Sequence, residues 1–192
     1  MNLLINLLTI SRIFLAIIIF LLLMSNDGHI AALVLFIFAG ITDYFDGYLA
    51  RKYNLVSEIG EILDPIADKI LIIFLFIGIS VSLSSYLIGF LSALIISREV
   101  FVAALRDYNA RNNNNTATKV TFLAKIKTTV QLNTIFVYLL GFTLSFNLLF
   151  VIGDILLFIA TIITIYTGIS YTMATLKKYG WVAEWSCSGL QI

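Results

Sequence analysis

The chain has 192 residues, of which 60% are hydrophobic and only 12% are charged. Soluble domains carry about twice that charged fraction, so the composition excludes an ordinary soluble enzyme and indicates an integral membrane protein. The net charge of +1 gives no reason to expect nucleic acid as a partner, and the single Cys187 excludes a disulfide within the chain. The length predicts one membrane domain, residues 1–192.

The first apolar stretch covers residues 2–24 and is interrupted by Arg12 and several uncharged polar residues. We expect residues 1–12 to form an amphipathic segment at the membrane interface and residues 13–24 to form the first span. The uninterrupted part is as short as the core of a cleaved signal peptide, which is the alternative interpretation. The small-residue cleavage pattern is missing and further apolar stretches follow, so we favour a span.

Five more apolar stretches follow, each close to the roughly 20 residues that cross a bilayer as a helix. They lie at 29–50, 62–83, 86–107, 122–146 and 148–176. The predicted fold class is therefore all-α, with six transmembrane helices. A polar, asparagine-rich loop is expected at 108–121, and a short tail at 177–192 follows the last span.

Lysine and arginine lie on one side of this six-span arrangement. The turns on the other side, residues 25–28, 84–85 and 145–147, contain none of the 12 basic residues. Cytoplasmic loops are enriched in Lys and Arg, so the basic side is predicted to be cytoplasmic, with both termini inside. Five or seven spans would scatter the basic residues over both sides.

Four aspartates lie where the second predicted span ends and the third begins. Asp43 and Asp46 are three residues apart, and Asp64 and Asp68 are four apart, so each pair shares a helix face. A carboxylate costs roughly 2.5–3.5 kcal/mol at the centre of a bilayer, which makes such residues rare and usually functional. Because the loop at 51–61 is short, we expect the two spans to be antiparallel neighbours with both pairs at one depth.

Hard carboxylates without a companion His or Cys favour Mg²⁺ or Mn²⁺ over zinc. Four of them can hold two ions about 3.5–4 Å apart, an arrangement that clamps a phosphoryl group. Basic residues of the fourth and fifth spans reach the same level and form a candidate anion pocket: Arg98, Arg106, Lys125 and Lys127. An acidic metal site beside a basic pocket predicts phosphoryl transfer between two phosphate-bearing substrates, one of them a lipid.

Each feature also has a structural interpretation. The aspartates could form a polar network between helices, although four carboxylates without four nearby cations make this the weaker hypothesis. Arg98 could pair with Glu99 or Asp107 for structural reasons. Lys125 and Lys127 could be interfacial residues whose side chains reach toward water.

The run from Asp43 to Asp68 resembles the signature of the CDP-alcohol phosphotransferase family. Every signature position is filled at the family's spacing: Asp43, Asp46, Gly47, Ala50, Arg51, Gly60, Asp64 and Asp68. Further segments are similar to motifs of the bacterial branch that makes phosphatidylglycerophosphate. These segments are Asn6 to Arg12, Ser97-Arg98-Glu99, Ala104-Leu105-Arg106 and Lys125 to Thr128. One departure is Ile5, where that branch usually has proline.

The resemblance implies a six-helix enzyme of the inner (plasma) membrane, usually a homodimer, with its active site at the cytoplasmic face. It would transfer the phosphatidyl group of CDP-diacylglycerol to sn-glycerol 3-phosphate and release CMP. Asp43, Asp46, Asp64 and Asp68 would bind two Mg²⁺ or Mn²⁺ ions, and Asp68 would also be the general base. Residues that would contact CDP-diacylglycerol, in part by leaving room for the cytidine, are Asp43, Asp46, Gly47, Ala50, Arg51 and Gly60.

Other functions stay open at this point. Within the same chemistry, a cardiolipin synthase would use phosphatidylglycerol as the acceptor, and a phosphatidylinositol-phosphate synthase would use inositol phosphate. A divalent-cation transporter would also use membrane carboxylates, but it would need polar groups across the whole membrane. Residues 31–38 and 70–76 beyond the aspartates are apolar, which favours a one-sided enzyme site.

Overall fold

A computed structural model describes residues 2–25, 27–53, 58–112 and 122–178 of the chain. These residues form six α-helices and contain no β-strand. The helices are α1 (Asn2–Leu23), α2 (His29–Tyr53), α3 (Glu58–Ser82), α4 (Tyr86–Arg111), α5 (Phe122–Leu144) and α6 (Asn147–Lys178). The greater part of the predicted loop at 108–121 and nearly all of the tail at 177–192 lie outside the described residues.

Among the described residues, three helices contain segments long and apolar enough to cross a membrane: Pro65–Ser82 of α3, all of α4, and Asn147–Lys177 of α6. Shorter apolar segments occur in α1 (Thr9–Leu23) and α2 (His29–Asp43). The prediction of an all-helical membrane protein is therefore confirmed. The number of spans and the orientation of the termini stay predictions.

Helix α1 is continuous through Arg12, where we expected an interfacial segment to end. Thr9 and Arg12 are both buried among the other helices rather than turned outward. The interfacial location of residues 1–12 stays a prediction. What the structure adds is that the side chain of Arg12 reaches the two helices that carry the aspartates.

The packing order differs from the one expected from the short loop between α2 and α3. Helix α1 packs against both α2 and α3, and α5 packs against both from another side. Within the described residues no close backbone contact joins α2 directly to α3. Within these residues the expectation that α2 and α3 pack directly on each other is wrong. Helices α1 and α5 each pack against both of them instead. The remaining helix, α4, packs against α3 and α6, and α6 also packs against α5.

The three turns that lack basic residues are tight. Gly28 lies so close to α1 that an added Cβ would be 2.4 Å from the carbonyl oxygen of Leu22. Ser84 and Ser145 have positive φ angles of 48° and 51°, which lets the chain reverse within one or two residues. Ser85 then caps α4 by accepting a hydrogen bond from the backbone N–H of Ile88 at 3.4 Å. Short turns make α1–α2, α3–α4 and α5–α6 antiparallel hairpins.

The core consists of apolar residues spaced three or four apart on each helix, which is the period of one helix face. On α1 and α3 it includes Ala16, Ile19, Leu23, Leu75, Phe76 and Ile79. The outer surface is also apolar, with large exposed side chains such as Phe14, Phe90 and Val100. An exterior this apolar is expected of a protein whose surroundings are lipid rather than water.

Candidate active site

Two of the signature aspartates meet at a single arginine. Nη1 of Arg12 is 2.7 Å from Oδ1 of Asp43 and 2.6 Å from Oδ1 of Asp68. The arginine is 1% exposed, whereas the two carboxylates are 50% and 49% exposed. Since both oxygens contact the same nitrogen, they lie close together. The structure therefore brings α2 and α3 to one acidic centre, with α1 supplying a buried positive charge behind it.

The other two signature aspartates belong to the same helices. Asp46 is in α2, three residues after Asp43, and Asp64 is in α3, four residues before Asp68. These spacings place each pair on one helix face. The side chains of six signature residues lie outside the described part of the structure: Asp46, Gly47, Ala50, Arg51, Gly60 and Asp64.

A cavity of about 320 Å³, the α2–α5 cavity, opens beside the acidic centre. It is lined by α1, α2, α3 and α5, and its polar end contains Arg12, Asp43 and Asp68. Toward the other end the lining becomes apolar, with Phe36 and Phe136 among its residues. A cavity that is charged at one end and apolar at the other has the character of a site for an amphiphile.

Gly40 lies on the wall of the α2–α5 cavity, one turn before Asp43. An added Cβ at this position would meet no atom within 4 Å. The glycine is therefore not required by packing between helices. It leaves the wall flat, and a larger side chain would project into free space.

A second cavity of about 170 Å³, the α4–α5 cavity, lies on the other side of Asp68. Its polar lining includes Asp68, Glu99, Lys127 and Gln131. Asp68, Ile72 and Thr128 line both cavities. Asp68 is therefore shared by the two cavities, and Lys127 is the member of the predicted basic pocket that lines the smaller one.

The predicted basic residues do not stand as isolated cations. Lys127 and Arg98 are both buried, and both contact Oε1 of Glu99. Nη2 of Arg98 donates a hydrogen bond of 2.7 Å to Oγ1 of Thr167 on α6. Two cations and one carboxylate leave this cluster with one excess positive charge, which is suited to an anion.

Arg98 and Arg106 both pack against residues of α6. The guanidinium carbons of Arg98 and Arg106 lie 5.8 and 5.5 Å from the ring centre of Tyr171. Gly168 is in contact with Arg98, since an added Cβ there would be 3.0 Å from its Cγ. The structure therefore brings Arg98, Arg106 and Lys127 together near α6.

Lys125 is placed differently from the other three. It is exposed, whereas Lys127 is buried. Residues two apart on an α-helix are turned about 200° from each other, so Lys125 faces away from the cluster. The sequence motif treats the two lysines alike, and only the helix geometry distinguishes them.

Comparison with known proteins now decides the family. The sequence model of the family described as CDP-alcohol phosphatidyltransferase matches residues 2–172. The chain belongs to this family.

Several curated relatives within it are named CDP-diacylglycerol–glycerol-3-phosphate 3-phosphatidyltransferase. The one from Rickettsia felis is 41% identical over 177 residues, covering 91% of this chain and 95% of its own length. The one from Wigglesworthia glossinidia brevipalpis is 35% identical over 155 residues, covering 81% and 83%. The one from Shigella flexneri is 32% identical, covering 75% and 78%.

CDP-alcohol phosphatidyltransferases generally depend on a divalent metal ion. The acidic centre suits such an ion, because Asp43 and Asp68 present hard oxygen donors that converge and are half-exposed. The described residues contain no cluster of three His, Cys, Asp or Glu ligands. The side chains of Asp46 and Asp64, which the signature adds to the set, are not among them.

Sequence reasoning missed several residues of this site. It assigned Arg12 to a motif but not to a contact with the aspartates. Gly40 and Gln131 were not identified, although Gly40 is three residues before Asp43 and Gln131 is four after Lys127. Their spacing places them on the same helix faces as Asp43 and Lys127, but the sequence does not show the empty space beside Gly40 or the unpartnered oxygen of Gln131.

Proposed function

We propose that the protein transfers the phosphatidyl group of CDP-diacylglycerol to sn-glycerol 3-phosphate and releases CMP, a step of phospholipid synthesis that leads to phosphatidylglycerol and cardiolipin. The observation that carries the proposal is the position of Asp68 in the lining of both cavities. One cavity has the character of a lipid site, and the other is smaller and has Glu99, Lys127 and Gln131 in its lining. The names of the relatives support the same two substrates.

CDP-diacylglycerol is assigned to the α2–α5 cavity. Its charged diphosphate would lie at the end formed by Asp43 and Asp68, and its apolar part would run toward Phe36 and Phe136. Gly40 leaves room along this path. By the family resemblance, Arg51 contacts the diphosphate, and Gly47, Ala50 and Gly60 make room for the cytidine.

Asp43, Asp46, Asp64 and Asp68 are the residues proposed to hold Mg²⁺ or Mn²⁺, with two ions as the expected number. When bound, the metal polarises the diphosphate and stabilises the negative charge on departing CMP. The positive charge of Arg12 holds the carboxylates of Asp43 and Asp68 together from the buried side.

Glycerol 3-phosphate is assigned to the α4–α5 cavity. Lys127, Arg98 and Arg106 would attract its phosphate, and Glu99 would hold Lys127 and Arg98 in place. Asp68 takes the proton from the primary hydroxyl, whose oxygen forms a bond to the phosphorus that carries the diacylglycerol. The bond from that phosphorus to the bridging oxygen breaks, and CMP leaves with this oxygen. Fixed positions for both substrates supply a large part of the catalysis.

The proposed setting is the inner (plasma) membrane, crossed by six helices with both termini in the cytoplasm. The apolar exterior and the location of the basic residues support this arrangement. The active site would then open at the cytoplasmic face, where glycerol 3-phosphate is dissolved. A homodimer is proposed from the family resemblance.

An acceptor panel tests the proposed function. The full-length protein in lipid–detergent micelles is given CDP-diacylglycerol, Mg²⁺ or Mn²⁺, and one labelled acceptor: glycerol 3-phosphate, inositol phosphate or phosphatidylglycerol. The expected result is CMP release and label in the lipid phase with glycerol 3-phosphate alone, and loss of both when EDTA removes the metal. Release of CMP only with another acceptor would overturn the assignment of the small cavity. Absence of CMP with every acceptor would overturn the proposed reaction.

A further inference from the structure

Gln131 is a buried polar residue in the wall of the α4–α5 cavity. Its side chain is 1% exposed, and it follows Lys127 by one helical turn on α5. The amide nitrogen Nε2 donates a hydrogen bond of 3.2 Å to Oγ1 of Thr164 on α6. Within the described residues the carbonyl oxygen Oε1 has no hydrogen-bond partner. Because the nitrogen donates to α6, the carbonyl oxygen is the polar atom of this side chain that still needs a donor.

A buried carbonyl without a partner is unfavourable, so such groups are normally satisfied by protein, water or a ligand. A carbonyl oxygen only accepts hydrogen bonds, which rules out a phosphate dianion as its partner. The group it needs is an O–H or N–H donor. In a cavity that also contains Lys127 and Asp68, this favours a ligand with a phosphate at one end and more than one hydroxyl.

The order of polar groups along the cavity suggests which hydroxyl is involved. Lys127 and Gln131 are four residues apart on one face of α5, which separates them by roughly 6 Å along the helix. Asp68 on α3 lines the same cavity. In glycerol 3-phosphate the secondary hydroxyl lies between the phosphate and the primary hydroxyl. Lys69, Glu99 and Thr128 also line the cavity. A substrate with its phosphate at Lys127 and its primary hydroxyl at Asp68 would have its secondary hydroxyl in the same cavity as Gln131, whose Oε1 lacks a donor.

We propose that Oε1 of Gln131 accepts a hydrogen bond from the secondary hydroxyl of the acceptor, which makes Gln131 a residue that selects polyol phosphates over simple alcohol phosphates. This inference rests on the proposed function. Thr164 holds the amide in the required orientation from α6. The contact lies away from the bonds that form and break, so it contributes to specificity rather than to proton transfer.

The test compares glycerol 3-phosphate with 3-hydroxypropyl phosphate, which keeps the phosphate and the primary hydroxyl but lacks the secondary one. The ratio of kcat/KM for the two acceptors is measured for the wild type, Gln131→Met and Gln131→Glu. Methionine matches the length of glutamine and fills buried space readily, so the variant should fold. Glutamate retains acceptor oxygens. Thr143→Val, a change elsewhere on α5, is the matched control.

The wild type and Thr143→Val should prefer glycerol 3-phosphate by about 100-fold, since the analogue without the secondary hydroxyl leaves the buried carbonyl unpaired. Gln131→Met should lower this ratio to about threefold or less, mainly by slowing the reaction of glycerol 3-phosphate, and Gln131→Glu should keep at least about tenfold. An unchanged ratio in Gln131→Met, or equal losses for both acceptors, would overturn the inference. If Gln131→Met does not fold, Gln131→Leu takes its place with the same expected fall in the ratio, and a collapsed ratio in Gln131→Glu would also overturn the inference. Failure of the wild type to use glycerol 3-phosphate would instead overturn the proposed function.

Discussion

At the scale of single residues, Arg12 is the least expected part of the site. It is buried and contacts two carboxylates that are proposed metal ligands. Two like charges at close range repel, so a shared cation lets Asp43 and Asp68 converge before any metal binds. The arginine then remains beside the acidic centre as a fixed part of the protein.

Replacing Arg12 should make the protein depend more on metal for its stability. In Arg12→Gln the two carboxylates lose their shared counter-ion, so the melting temperature without metal should fall by several degrees. Added Mn²⁺ or Mg²⁺ should restore more stability to the variant than to the wild type, because the ion then replaces the lost charge. Thermal unfolding with and without metal measures both effects. Arg111→Gln, which removes an exposed pair with Asp107, is the control. Equal metal-dependent shifts in Arg12→Gln and the wild type would show that Arg12 does not have this role.

Gly40 allows the assignment of the α2–α5 cavity to be tested without disturbing the core. Gly40→Ala should be neutral or stabilising by up to about 1 kcal/mol, since the added Cβ meets no atom and alanine favours helix. Gly40→Phe should fill the cavity and lower kcat/KM for CDP-diacylglycerol by about tenfold or more, with little change in KM for glycerol 3-phosphate. Steady-state kinetics with each substrate varied in turn measures this. Unchanged kinetics in Gly40→Phe would contradict the assignment of CDP-diacylglycerol to the α2–α5 cavity.

The charged residues of the site could be predicted from the sequence, whereas several of its uncharged residues could not. Asp43 and Asp68 are recognised because carboxylates in apolar sequence are unusual, whatever surrounds them. Gly40 and Gln131 are ordinary residue types, and their interest comes from empty space or a missing partner, which sequence does not show. The ion pair between Glu99 and Lys127 could not be predicted from the sequence either, since those residues are distant in the chain.

At the scale of helices, the number and approximate limits of the elements follow from the apolar stretches and the polar turns. The contacts between helices do not. A short loop predicted that α2 and α3 pack together, but helical periodicity says only which face is buried and not which helix covers it. The involvement of α6 in the site, through Thr167 and Tyr171, was not predicted for the same reason.

Tyr138 of α5 links the two helices of the α5–α6 hairpin outside both cavities. Its hydroxyl donates a hydrogen bond of 2.6 Å to Oδ1 of Asp154, and its ring lies against Gly153, where an added Cβ would be 2.8 Å away. Tyr138→Phe should destabilise the protein by about 1.5–3 kcal/mol, because it removes a hydrogen bond to a charged group. The exposed Tyr166→Phe should have little effect.

Thermal unfolding in detergent measures the loss of stability in Tyr138→Phe, and activity at low temperature shows whether the site is intact. The expectation is a lower melting temperature with kcat within about twofold of the wild type, since the hairpin contact lies outside both cavities. A normal melting temperature together with reduced kcat would contradict a purely structural role for this contact.

At the scale of the whole molecule, the apolar exterior and the one-sided distribution of Lys and Arg predict the orientation in the membrane. The two ends of α4 offer a direct test. Tyr86 is 96% exposed at one end, and Arg111 is 77% exposed at the other. In a protein whose single Cys187 has been replaced by Ser, Tyr86→Cys should react with a membrane-impermeant maleimide in spheroplasts. Arg111→Cys should react only after the membrane is permeabilised. The reverse pattern would contradict cytoplasmic termini.

The central claim is that Asp68 joins two substrate sites and takes the proton during transfer. The most direct measurement is single-turnover kinetics of Asp68→Asn, with binding of CDP-diacylglycerol and of glycerol 3-phosphate measured separately on the same protein. We predict that the transfer rate falls by roughly 10²–10⁴-fold, as expected for loss of a general base, while glycerol 3-phosphate still binds within about threefold of the wild type. An Asp68→Asn protein that transfers the phosphatidyl group at the wild-type rate would contradict the account.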